Sequence, residues 1–140
     1  MSELLNGLLG TLAYGGAGLV LMTLGYVLVD VATPGKLADL IWVERNRNAS
    51  ILLCSGLLGV GVILTTAIIT SDDNLGVGLL NTAVYGLLGL ALMAVAFIVI
   101  DILTPGKLGE VICAEEHHPG VWVSAVAHLV VAVVIAAAIT

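Results

Sequence analysis

TLAYGGAGLVLMTLGYVLVDVATPGKLADLI at Thr11–Ile41 returns as TAVYGLLGLALMAVAFIVIDILTPGKLGEVI at Thr82–Ile112. The second copy aligns on the first without a gap. It carries Tyr14 onto Tyr85, Asp30 onto Asp101 and Thr33–Leu37 onto Thr104–Leu108. About half the positions from Leu4 to Ile41 are identical to their counterparts. Self-similarity at a fixed offset makes the repeat the unit of architecture. The chain therefore divides into residues 1–70 and 71–140, two copies of one helical hairpin.

Each copy contains two long apolar runs. The four runs are Leu8–Val31, Ile51–Ile69, Leu79–Leu103 and Val121–Ile139. About 20 helical residues cross the ~30 Å hydrocarbon core of a bilayer, and each run reaches that length. Lipid offers no partner for backbone N–H and C=O groups, so a spanning segment is a helix or a strand of a closed barrel. The alternating apolar and polar pattern of a barrel strand is missing. The expected fold is an all-α membrane protein with four transmembrane helices, built as two tandem parallel-repeat hairpins. Because each hairpin crosses twice, both copies enter the membrane in the same orientation.

Composition agrees. The 140 residues are 60% hydrophobic and 10% charged, with a mean hydropathy of +1.18, too apolar for a soluble domain. The net charge of −6 comes from acids scattered over loops and ends. Only Lys36, Arg45, Arg47 and Lys107 are basic, which leaves no nucleic-acid footprint. All four lie in the equivalent connections Ala32–Ser50 and Thr104–Gly120. The opposite loop, Thr70–Gly78, carries Asp72 and Asp73 and no base. The positive-inside rule puts the two basic connections in the cytoplasm and both termini outside. Trp42 and Trp122 fall near the cytoplasmic boundary, where aromatic anchors collect. The start, MSELLNGLLG, lacks a basic n-region and a cleavage site, so it reads as part of a retained span.

The most specific motif is Asp-x-x-Thr-Pro-Gly-Lys-Leu, at Asp30–Leu37 and Asp101–Leu108. Pro34 and Pro105 have no N–H and cannot bond back to the carbonyls of Asp30 and Asp101. The first and third spans should end or kink there. Thr33 and Thr104 then suit helix N-caps, with proline at the first helical position. Beyond Gly35-Lys36 and Gly106-Lys107, the apolar residues Leu37, Leu40, Ile41 and Leu108, Val111, Ile112 recur at i, i+3, i+4. That spacing predicts a short amphipathic helix on the cytoplasmic membrane surface. The Gly-Lys pair is no phosphate loop, since a Walker loop needs an earlier glycine and a following Ser or Thr.

Two readings of Asp30 and Asp101 stand side by side. They are boundary residues, hydrated or paired with Lys36 and Lys107. Or they are a symmetric carboxylate pair handling protons or cations in a polar interior, as ionisable residues within spans often do. His128, in the fourth span, is a hydrogen-bond donor between helices or, with the aspartates, a proton relay. Gly15 and Gly18, Gly56 and Gly59, and Gly86 and Gly89 each recur on one helix face. They are expected to let helices pack closely, Gly10 and Gly25 extending the first stripe. Tyr14 and Tyr85 adjoin two of these pairs and should find hydrogen bonds between helices. Cys54 and Cys113 are too few for a disulfide framework. Cys113, Glu116, His117 and His118, with Glu115 between, read as a solvated loop rather than a metal site, for want of a spaced partner pair.

The doubled hairpin carrying Tyr14-Gly15, Asp30 and Thr33–Leu37, and again Tyr85-Gly86, Asp101 and Thr104–Leu108, resembles the YjfL-like bacterial inner-membrane family. That is domain-of-unknown-function family three-fifty, which usually carries this unit twice. The likeness covers nearly the whole chain and implies a multi-pass protein of the bacterial plasma membrane. It implies no activity. One departure is the acidic connection after the second motif, where the first is basic.

The expected function is a non-enzymatic oligomeric or accessory membrane component. Its partners would be the lipid bilayer and a second copy or another membrane protein, with no nucleic acid and no cofactor. The alternative is a proton, cation or small-solute conductor using Asp30 and Asp101, with His128. A catalytic nucleophile with base and orienting acid cannot be assembled from the spacing. Haem ligation would want facing histidines, and His128 alone lies in a span.

Overall fold

The computed structural model of the chain describes all residues except 1, 34, 72–73, 104–107 and 115, and all side chains of the rest except those of residues 2, 3 and 108. The described residues are helical, without strands. In chain order the helices are α1 (Ser2–Ala32), α2 (Leu37–Trp42), α3 (Arg47–Ile69), α4 (Leu75–Leu103), α5 (Leu108–Cys113) and α6 (Gly120–Ile139).

Four of these are long and apolar enough to cross a membrane: Leu4–Ala32 within α1, then α3, α4 and α6. At 1.5 Å per residue, α1 is about 46 Å long and α6 about 30 Å, so even the shortest matches the hydrocarbon thickness. Three helices begin several residues before their apolar runs. Polar residues hold those extra turns. Asn46 Oδ1 accepts the amide of Ala49 at 3.0 Å, capping α3. Asn74 Oδ1 accepts the amides of Gly76 and Val77 at 3.1 and 3.3 Å, capping α4.

α3 is the hub, packing against every other helix, while α1 and α6 flank the α3–α4 pair on opposite sides. One apolar cluster fills the middle of the bundle, with Leu21, Val60, Ile63, Leu90, Met93 and Ala132 among its members. A second lies at the end that carries the short helices, joining Val29, Leu37, Leu40, Leu52, Phe97 and Ile112. Leu37 and Leu40 are buried in this second cluster. The apolar stripe of α2 therefore faces the bundle and not the lipid, which differs from a helix floating on the membrane. The reason is its tether: the chain leaves α1 and enters α2 within a few residues, so the stripe meets α3 first. Trp42, at 81% exposure, is what α2 turns outward.

Glycines govern how closely the helices meet. A Cβ on Gly89 would stand 2.6 Å from Ile63 Cγ2, and one on Gly86 would stand 2.7 Å from Leu21 Cδ1. Gly59 lies against Ala132 and Met93 at 3.0 Å, and Gly56 against Val29 at 3.0 Å. Gly25 meets Val60 at 2.9 Å, and Gly10 only Leu75 at 4.0 Å. Gly15 and Gly18 differ from the packing role expected of them, since nothing lies within 4 Å of either. Gly15 is exposed and Gly18 is half-buried, on the same side of α1 as the buried Leu21.

The contrast yields a measurement. Gly89→Ala should destabilise by about 1–3 kcal/mol, because Ile63 is β-branched and has one favoured helical rotamer. Gly15→Ala should be neutral or gain up to about 1 kcal/mol of helix propensity. Thermal unfolding in mild detergent, followed by circular dichroism, separates the two. Equal midpoints for both variants would contradict this packing.

Candidate functional site

The polar side chains collect where the long helices stop. α1 ends at Ala32, two residues past Asp30. The amide of Thr33 bonds to the Asp30 carbonyl at 3.2 Å, a tightened turn that gives this carbonyl a donor where Pro34 offers none. Thr33 is buried, and its hydroxyl donates to the Val29 carbonyl at 2.8 Å. It therefore does not cap α2, which corrects the role expected of it. The N-cap position belongs to Lys36, whose side chain makes no cap bond. Asp30 supplies the acceptor instead: its Oδ1 takes the amide of Leu37, the first residue of α2, at 2.8 Å. Gly35 holds φ +95°, a left-handed turn that glycine adopts without strain. One carboxylate thus fastens the start of α2 to the end of α1. Asp30 is half-buried and Lys36 exposed. Pro34 and the second motif's Thr104, Pro105, Gly106 and Lys107 lie outside the described residues. Asp101 is half-buried in the last turn of α4.

The two aspartates line no shared cavity among those described. A groove of about 540 Å³ runs between α1 and α4, but its walls are apolar, from Leu24, Val27 and Val31 to Leu90, Phe97 and Ile98.

Two asparagines form the densest polar contact. Asn46 Nδ2 donates to the carbonyls of Ile112 and Ala114 at 2.9 and 3.3 Å. Asn48, 1% exposed, donates from Nδ2 to the carbonyls of Val111, Ala114 and Glu116 at 3.1, 3.2 and 2.9 Å. Its Oδ1 accepts the amide of His118 at 3.3 Å. The start of α3, in the first repeat, thereby satisfies the orphan carbonyls that end α5, in the second. Neither asparagine belongs to the repeated motif or to an apolar stripe. Asn46 was open to recognition as an asparagine just before an apolar helix. Asn48 was not, because its partners lie more than sixty residues away in the chain.

His128 is 3% exposed in α6. Its ring stacks on Phe97 of α4, centroids 4.7 Å apart and planes 20° from parallel. Neither ring nitrogen has a hydrogen-bond partner among the described residues, so the donor role between helices expected for it is not what the structure holds. The buried serines of α3 and α6 donate within their own helices, Ser55 to Leu52 and Ser124 to Gly120. Tyr14 does bridge elements, its hydroxyl 3.0 Å from Ser71 Oγ beyond α3, while Tyr85 is exposed on α4. His117 Nε2 accepts from the Trp122 indole and His118 Nδ1 from the Gly120 amide.

These contacts set an order of effects. Asn48→Ala strands several carbonyls and should cost about 1–3 kcal/mol. Asn48→Asp should cost more, since it turns a carboxylate toward carbonyl oxygens. Asp30→Ala should cost about 1 kcal/mol for the lost cap, and Asp30→Asn, which keeps an acceptor, less. Unfolding midpoints of the four variants in one detergent check the order. An Asn48→Asp variant as stable as the parent would contradict the clamp.

The sequence profile of the family described as Domain of Unknown Function (DUF350) matches residues 3–139. The UPF0719 transmembrane protein of Mycolicibacterium paratuberculosis (strain ATCC BAA-968 / K-10) is 35% identical over 140 residues, covering 100% of this chain and 93% of its own. The UPF0719 transmembrane protein Mb2631 of Mycobacterium bovis (strain ATCC BAA-935 / AF2122/97) is 36% identical over 140 residues, covering 100% of this chain and 92% of its own. No solved structure matches. The relatives' names state a membrane location and no activity. With its four membrane-length helices and a match over nearly its whole length, the chain belongs to the DUF350 family of transmembrane proteins.

Proposed function

We propose that the protein is a non-enzymatic component of the bacterial plasma membrane that works by associating with further copies of itself or with another membrane protein. Two tandem hairpins enter the bilayer in the same orientation, with both termini outside. The Thr-Pro-Gly-Lys turns face the cytoplasm, and α2 and α5 lie at the level of the cytoplasmic headgroups. What supports association is the uncovered face of α1. Gly15 and Gly16 are exposed, with open space where a Cβ would stand, beside the exposed Leu12 and Leu19. Small residues on an open helix face permit the close approach that drives helix pairing in lipid. The aspartate and asparagine contacts, by contrast, are taken up in holding the chain's own turns.

Mass measurement by light scattering in mild detergent tests this reading. The expected result is a multiple of the 14.3 kDa chain or a co-purifying protein, reduced to the single chain by Gly15→Leu with Gly16→Leu. A strict monomer with nothing bound would contradict it.

A second reading is conduction of protons or cations through Asp30, Asp101 and His128. The buried nitrogens of His128, without a partner among the described residues, favour it, since an ionisable group inside a span is a functional candidate. Proteoliposomes under a pH or cation gradient check it. Flux should appear with the parent protein and fall at least tenfold with Asp30→Asn and Asp101→Asn together. No flux, or flux indifferent to the double change, removes this reading.

A further inference from the structure

The connection from α5 to α6 is fastened by two imidazoles acting as acceptors. The Trp122 indole donates to His117 Nε2 at 3.1 Å, with the rings edge to face and their centroids 6.4 Å apart. The amide of Gly120, the first residue of α6, donates to His118 Nδ1 at 3.1 Å. A Cβ at Gly120 would stand 2.9 Å from that nitrogen, so the glycine makes room for the ring. An imidazole nitrogen accepts an N–H only while it keeps its lone pair. The protonated ring has two donors and no acceptor.

Both rings therefore depend on the neutral form for these bonds. Protonation would also place two positive charges beside the N-terminus of α6, where the helix dipole opposes them. The same short segment reaches back to α3. Asn48 takes the His118 amide on its Oδ1 and gives its Nδ2 to the Glu116 carbonyl. Among the described residues, the charged and titratable groups on the surrounding elements are Glu110 and Cys113 of α5, Glu116 between the helices and Arg47 of α3, all exposed; Glu115 lies outside the described residues. Arg47 has only donors and cannot replace a lost acceptor.

We propose that His117 and His118 form a pH-operated latch, which holds the α5–α6 connection on α6 while both rings are neutral and releases it when they are protonated. The stabilisation is present while the rings keep their acceptor lone pairs, is lost as acidification protonates them, and returns when the protons leave. Acidification would thereby loosen the end of the second hairpin, leaving the clamp of Asn46 and Asn48 on α5 in place.

The test is amide hydrogen exchange of the full chain in nanodiscs from pH 8 to pH 5, corrected for the intrinsic pH dependence of exchange. Opening of residues 116–122 should rise roughly tenfold, the order expected for two lost hydrogen bonds, while the middle of α3 stays unchanged. His117→Gln with His118→Asn, whose side-chain oxygens accept without titrating, should abolish the rise. Glu116→Gln should preserve it. No rise in the parent overturns the latch. So does a rise that persists in the double variant or disappears with Glu116→Gln. A Trp42→Phe protein offers a second readout without altering either histidine. Its Trp122 emission should change between pH 8 and pH 5, and an unchanged spectrum equally overturns the proposal.

Discussion

Inside hydrocarbon, every backbone amide and carbonyl needs a partner within the protein. That constraint makes the long segments helical and decides what happens at their ends. A helix leaves several amides at its start and several carbonyls at its finish without partners. At several such ends among the described residues, a polar side chain supplies the partner. Asp30 meets the start of α2, Asn46 the start of α3, and Asn46 with Asn48 the finish of α5. Pro34 sharpens the need, because the carbonyl it leaves unmatched must turn to Thr33.

The repeat is symmetric in sequence but not in its fastenings. Asn46 and Asn48 occupy positions that carry His117 and Pro119 in the second copy. Through these two residues the first hairpin grips the second. In the second copy, histidines accept from α6 where asparagines clamp α5 in the first. One connection thus acts as a clamp and the other as its captive. α3 is central for the same reason, since its first turn reaches α5 while its middle packs against α1, α4 and α6.

The long helices were legible from sequence because lipid imposes length and apolarity residue by residue. The stops at Asp30 and Asp101 were legible to within two residues, since proline acts on its own helix. Gly86 and Gly89 follow a spacing that also fits Gly15 and Gly18, yet the first pair packs and the second does not. Spacing tells which residues share a face, but not whether a neighbour covers it. Local rules favour Thr33 as the cap on α2. The structure prefers Asp30, seven residues upstream of the amide it accepts, a choice that depends on how α2 folds back. The contacts of Asn48 and the stacking of His128 on Phe97 join distant parts of the chain. No local pattern encodes them.

The account rests on four helices threaded through a bilayer with their outer faces in lipid. Spin labels placed singly at Leu19, Leu58, Leu92 and Val130, exposed positions near the middles of α1, α3, α4 and α6, test it in reconstituted membranes. All four should be shielded from a water-soluble nickel chelate, with oxygen the stronger relaxant wherever lipid reaches the label. A label on any of these helices that is relaxed more by the chelate than by oxygen would contradict the account.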